Sequence, residues 1–377
     1  MSEPSRFTKA LRSARWLPSY GWQRISRRPR VGAAHLLIAV ADHFEPSILP
    51  DTPERFAPRA DQERRLDQWC RTYPASVDRW RDADGRPFQH TYFSPAEQYD
   101  EGLMSRLAEH CRAGWGEVEI HLHHGIDTPD TSAATRRDLT TFRDALVRHG
   151  CLSRWDGRGE ARYAFVHGNW ALANSGQGRH CGVDDEMQIL ADTGCYADFT
   201  LPSAPNVAQV SKINSIYECG RPLHERAPHR RGHDLRLGRR PNCFPLMVQG
   251  PLMLDFGRST GGLPRIENSE LSGNCPPSLR RLALWRDAAI HVQGRLDWIF
   301  IKLHCHGMDP RDESSMTGAA LQQFLRELIQ WSKDGGDTVH FVTAREMVNV
   351  LLAACDGRAG NPGDYRDYRF QLVSAVG

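Results

Sequence analysis

Short apolar runs alternate with amphipathic stretches along this chain. His35–Ala41 (HLLIAVA) is apolar almost without a break, which predicts a parallel strand covered on both faces. Helical patterning over 60–82 comes next, then a strand at Gln89–Phe93 and a helix at Pro95–Ala113 with Leu103, Leu107 and Cys111 at four-residue spacing. Gly114 and Gly116 stop that helix. A strand at Glu117–His123 and a helix at Ala133–His149, ended by Gly150, follow. Tyr163–His167, Asp184–Thr193 and Ala197–Thr200 read as strand, helix and strand. The rhythm breaks over 220–280, where Gly, Pro and Arg dominate and only Met247–Val248 and Leu252–Leu254 look like strand remnants. It resumes with a strand at Trp298–Leu303, a helix at Met316–Lys333, a strand at Val339–Val342 and a helix at Ala344–Ala354. This alternation predicts an α/β protein with a parallel sheet, and a barrel or an open sheet would both gather ligands at the strands' carboxyl ends.

Composition adds exclusions. Over 377 residues, 40% are hydrophobic and 25% charged, an ordinary globular balance, and no 18-residue apolar run predicts a transmembrane helix. The net charge of +2 gives no support to nucleic-acid binding. That charge is unevenly spread: residues 1–30 hold eight Arg or Lys and one acid, a net of +7, which leaves −5 for the rest. The basic arm (Arg6, Lys9, Arg12, Arg15, Arg24, Arg27, Arg28, Arg30) lacks the apolar stretch of a secretory signal, so a cytoplasmic protein is expected. The arm reads either as a solvated segment lying on its own domain or as a peripheral contact with anionic lipid. Ten cysteines without a C-x-x-C pair argue against zinc ribbons and thioredoxin-type sites and for reduced thiols. No G-x-G-x-x-G or G-x-x-x-x-G-K fingerprint supports nucleotide binding.

Ionisable residues collect where strands are expected to end. Asp42, His43 and Glu45 follow the first; a base and a metal ligand are one reading, a capping Asp with a surface His another. Glu119, His121 and His123 share one strand face, with His124 and Asp127 just beyond, and converging imidazoles with a carboxylate suit zinc or a similar ion. Some of these histidines would equally serve to orient the true ligands. His167, Asn169 and Trp170 suit a bonded and stacked sugar, or else a turn with a buried Trp. Lys302, His304 and His306 share a face, in a chain with only four lysines; a positioned His is the commonest general acid, and a core His bonded to backbone is the alternative. Paired carboxylates among Asp42, Glu45, Glu119 and Asp198 admit a glycosidase but leave the histidines unexplained.

The order of these clusters resembles the polysaccharide deacetylase superfamily, the nodulation-type members of carbohydrate esterase family 4, over about Leu36–Leu351. Val40-Ala-Asp42-His43-Phe44 is similar to that family's Thr-Phe-Asp-Asp-Gly, and His90-Thr91-Tyr92-Phe93 to its second strand. Glu119-Ile-His121-Leu-His123-His124-Gly-Ile-Asp127 is similar to its Glu-Ile-Gly-x-His-x-x-x-His. Lys302-Leu-His304 looks like its late Leu-x-His, and the stretch Ala191–Asp198 like its Gly-x-x-Tyr-Asp. The Asp pair and the family's arginine are missing, and Asp127 stands where a second His is expected.

The resemblance implies an incomplete (β/α)7-type barrel over 31–355, with insertions at 46–88 and 220–280, a basic arm at 1–30 and a tail at 356–377. It implies one divalent metal, zinc first and nickel, cobalt or manganese as others, held by His43, His123 and Asp127. Asp42 would be the base and His304 the acid. Glu45, His121, His124, His167, Asn169, Trp170, Asp198 and His306 would line the substrate site. The implied activity is removal of an N-acyl group, acetyl above all, from an amino sugar or polysaccharide precursor. Cleavage of a glycosidic or other amide bond, and a non-catalytic glycan-binding role in polysaccharide assembly, stay open beside it. Apart from the resemblance, the seven arginines between Arg221 and Arg240 read equally as a loop that covers the site and binds an anionic or nucleotide-linked glycan and as a solvated loop.

Overall fold

A computed structural model describes residues 14–27, 32–52, 55–260 and 263–373. Much of the basic arm, including Arg6, Lys9, Arg12, Arg28 and Arg30, lies outside the described residues. Fifteen strands are described: β1 His35–His43, β2 His90–Pro95, β3 Gly116–Leu122, β4 Ser153–Trp155, β5 Arg158–His167, β6 Cys195–Asp198, β7 Ile216–Cys219, β8 Gly232–Asp234, β9 Leu246–Val248, β10 Met253–Thr260, β11 Leu263–Glu267, β12 Glu270–Leu271, β13 Trp298–Cys305, β14 Thr338–Phe341 and β15 Phe370–Leu372. The helices are α1 Leu17–Ser26, α2 Arg59–Val77, α3 Glu101–His110, α4 Ser132–Arg148, α5 Glu186–Thr193, α6 Leu279–Asp287, α7 Glu313–Thr317, α8 Ala319–Lys333 and α9 Ala344–Cys355.

The main sheet runs β12-β13-β1-β2-β3-β5-β6-β9-β7-β8, parallel as far as β9, with β14 also paired to β1. It curls into a partial barrel in a mixed α/β fold. Alternation along β1 sets the two faces. Leu36, Ile38 and Val40 join a core with Trp69 of α2, Leu107 of α3, Phe142 of α4 and Phe324 of α8. Leu37, Ala39 and Ala41 face the concave side and share a second core with Met347, Val350 and Leu351 of α9. All twelve residues of α9 are buried, and a capping box of Thr343 and Glu346 fixes its start.

The concave face is polar in layers along β3. Glu117 takes three guanidinium hydrogen bonds from Arg345 of α9, Glu119 accepts the Tyr196 hydroxyl and the Ala164 N–H, and His121 stands highest, at the mouth. Because the neighbouring strands are parallel, the carboxyl ends of β1, β2, β3 and β13 open on this one side.

Local chemistry moves several boundaries. The helix expected from Pro95 begins only at Glu101, because Asp100 caps it by accepting the Leu103 N–H, while Pro95 closes β2 and residues 96–98 turn. Within 220–280, β9 belongs to the main sheet beside β6, and β10 and β11 form a separate hairpin. Arg226, Arg231, Arg239 and Arg240 pair with Asp184, Glu225, Glu218 and Asp356. The described part of the arm packs back on the body: Trp16 is buried, and Arg27 donates to the carbonyls of Ala288 and Asn214. Past residue 355, Arg366 is buried in an ion-pair network with Asp82, Asp84 and Glu346. No described helix is long and apolar enough to cross a membrane. All ten cysteines are free thiols.

Candidate metal centre

Six predicted residues meet at the barrel mouth: His43 at the end of β1, Glu45 just beyond it, His121 and His123 around the end of β3, and His304 and His306 around the end of β13. The His43 ring lies 4.8 Å from those of both His121 and His306 and 6.4 Å from that of His304, centre to centre. Glu45 Oε1 is 3.2 Å from His121 Nε2 and 3.7 Å from His123 Nε2. His43, Glu45 and His121 form a buried group with the spacing to hold an ion.

The tautomers are set from behind. His121 Nδ1 sits 2.9 Å from the Val166 carbonyl, which only accepts, so Nδ1 carries the hydrogen. His123 Nδ1 donates to Glu97 Oε1 at 2.7 Å, and its backbone N–H reaches the other Glu97 oxygen. Both rings therefore turn Nε2 toward Glu45. Carbonyl and carboxylate partners behind imidazoles are how metal-binding histidines are held. The donor set fits a divalent cation.

Electrostatics agree. Burial, with neighbouring His306, His121, His304 and Lys302 adding, pushes the His43 imidazole well below its ordinary range, so it is neutral with a lone pair to give. Burial alone would raise Glu45, but the His121 hydrogen bond and the surrounding imidazoles outweigh it and hold the carboxyl at about 2. His304 is pushed well down by burial, then by Lys302, His306 and Arg281, and its buried Nδ1 has no hydrogen-bond partner. Deeper in the barrel, burial lowers Lys302 to about 7 against the pull of Asp198, and raises Asp198 to about 7.

The other predicted residues are placed differently. Asp42 points to the helix layer: Oδ1 accepts the Gly307 N–H at 2.7 Å, Oδ2 pairs with His90 Nδ1 at 2.9 Å, and the side chain is fully buried. One-residue alternation separates it from His43. Asp127 is exposed and belongs to none of the ion-spaced groups among the described residues. Asp198 is fully buried and bonded to Thr200. His124 and His167 turn away from the mouth to join Cys181 and Glu186. Asn169 and Trp170 are half-buried and follow Gly168, where any Cβ would strike the His123 ring at 2.2 Å, so they flank the mouth.

Glu97, Cys181 and Glu186 escaped the sequence reading. Glu97 lies four residues beyond Phe93 in an unpatterned turn, and an acid opening a helix, as Glu186 does, reads as a favourable dipole partner. Residues 257–261 spell G-x-S-x-G, a serine-hydrolase spacing that requires a strand–turn–helix, but here 257–260 lie on the β10–β11 hairpin.

No family profile matches the chain, and no curated protein matches it. Among solved structures it is similar to that of a "putative polysaccharide deacetylase" from Mycobacterium smegmatis. The two share 14% identity and a TM-score of 0.43 over 87% of this chain and 93% of the other. A likeness this distant carries no chemistry to this chain.

Proposed function

We propose that the protein is a metal-dependent hydrolase that removes an N-acyl group, acetyl above all, from an amino sugar or polysaccharide precursor. One observation carries the reading: two imidazoles with their Nδ1 hydrogens tied from behind converge with Glu45 and the neutral His43 at the open end of a partial barrel. The barrel would then be of the incomplete seven-unit kind.

Glu45, His121, His123 and His43 would hold one divalent cation, zinc first, with His306 beside them. When bound, the ion supplies Lewis-acid polarisation of the acyl carbonyl and a lowered pKa for water. His304, whose ring centre lies 6.4 Å from that of His43, would take the proton from the attacking water. The imidazolium so formed returns that proton to the leaving amine, so one residue acts first as base and then as acid. Asp42 has a positioning part: it clamps the Gly307 amide and thereby the turn that carries His306. Asn169 and Trp170 at the rim would orient the sugar.

The test is product analysis on N-acetylated oligosaccharides with the metal-loaded protein. Acetate release abolished by chelation is the expected result. New reducing ends would show a glycosidase. Glycan binding with no metal and no turnover would show a non-catalytic member of an assembly system.

A further inference from the structure

We propose that His124, His167, Cys181 and Glu186 form a second metal site, a closed four-ligand centre for zinc or another thiophilic divalent cation. It is independent of the activity proposed for the mouth.

The four side chains are buried and their ligand atoms all lie within 4.8 Å of one another. His124 Nε2 is 3.2 Å from His167 Nε2 and 3.0 Å from Glu186 Oε1, and His167 Nε2 is 3.7 Å from the same oxygen. Cys181 Sγ lies 3.5 Å from Glu186 Oε2. A tetrahedral ion with bonds of about 2.0–2.3 Å needs ligand-to-ligand edges of roughly 3.3–3.6 Å. The three edges among His124, His167 and Glu186 Oε1, 3.0–3.7 Å, already have nearly that size, and the thiol belongs to the same group, whose ligand atoms all lie within 4.8 Å.

Each ligand is prepared by a neighbour. Asp130 lies 2.9 Å from His124 Nδ1 and also accepts the Thr135 hydroxyl, so His124 turns Nε2 inward. The backbone N–H groups of Asn174 and Val183 both donate to Cys181 Sγ at 3.4 Å, the arrangement that stabilises a metal-bound thiolate. Glu186 gives Oε1 to the histidines while Oε2 receives the Ala173 N–H. A thiolate and a carboxylate offset the two charges of the cation.

The protons balance. Seating the ion releases one from the Cys181 thiol and one from His124 Nε2 to solvent. The His167 hydrogen moves from Nε2 to Nδ1, which turns away the Asn169 N–H now 3.2 Å from Nδ1.

The site answers a structural need. Residues 168–185 join β5 to α5 with no helix or strand of their own. So long an irregular segment needs a tether, and four protein ligands with no open position are the mark of a structural centre. Its first residue, Gly168, is the wall behind His123.

Cobalt substitution of the full-length protein tests this, because the mouth offers only nitrogen and oxygen donors. The wild type should hold two equivalents and show thiolate-to-cobalt charge-transfer absorption. C181S should lose one equivalent and that absorption, whereas H121A should lose one equivalent and keep it. Absorption missing from the wild type, or surviving in C181S, overturns the proposal. Should C181S not fold, E186Q reads the same cage: at least tenfold faster cobalt loss to a chelator is expected from the thiolate site, and unchanged retention overturns it.

Discussion

The barrel mouth and the pocket behind residue 168 use the same side chains under opposite conditions. His123 and His124 are adjacent, yet one serves each place. At the mouth, the His123 side chain keeps 19% of its exposure and its partner Glu97 keeps 28%. Behind, the His124 side chain keeps 5%, and those of His167 and Glu186 none. Imidazoles that solvent reaches can exchange ligands and protons with a substrate; imidazoles sealed among a thiol and carboxylates can only hold. The difference arises just past the end of β3, where His123 turns to Glu97 and Glu45 and His124 to Asp130 and Glu186.

Five variants sharpen or break that contrast. On the proposed function, His121→Ala should leave the mouth without an ion and reduce acetate release to background, measured by metal content and product analysis; a fully active variant would detach the mouth from the chemistry. His304→Ala should keep the ion and lose roughly 10²–10⁴-fold in kcat, the usual range for a lost acid–base group. Glu97→Gln, which weakens only the support behind His123, should cost about 10–100-fold in metal affinity by chelator competition.

Asp42→Ala addresses stability. It strips the Gly307 amide and His90 of their buried partner, for a loss of roughly 2–4 kcal/mol in denaturant unfolding with metal content intact. The smallest effect concerns acid. In the metal-free protein Glu186 is held at about 2: burial raises it, but His167 and His124 outweigh that, so its folded form stays ionised where the unfolded one takes up a proton. Its contribution is complete above about pH 4.5 and fades as the pH falls toward 2. Glu186→Gln should flatten that acid arm of the stability curve, and an unchanged arm would remove Glu186 from the balance.

Much of this was legible beforehand. The strands His35–His43 and Trp298–Cys305 announce themselves by apolar runs and Gly116–Leu122 by polar–apolar alternation, and the shared faces of Glu119 with His121 and of Lys302 with His304 follow from period-two alternation alone. That local rule says nothing about which histidine beyond the strand's end turns which way, so His123 and His124 looked alike. The same gap left Asp42 and His43 undivided, and put Asp127 beside histidines it does not accompany. Three-residue strands such as β8 and β15 are too short to carry a period, and α6 hides its apolar face among arginines. Cys181 and Glu186 become neighbours of His124 only through long-range closure, which no spacing in the chain encodes.

The neighbouring positions of His121, His123 and His124 give β3 an unusual intolerance to insertions and deletions. Losing a single residue before Ile120 would rotate His121 into the helix layer and present Leu122 to the rim, so one codon-length edit would dismantle both proposed centres together. The length of this strand is thus the shared keel of two otherwise separate pieces of chemistry.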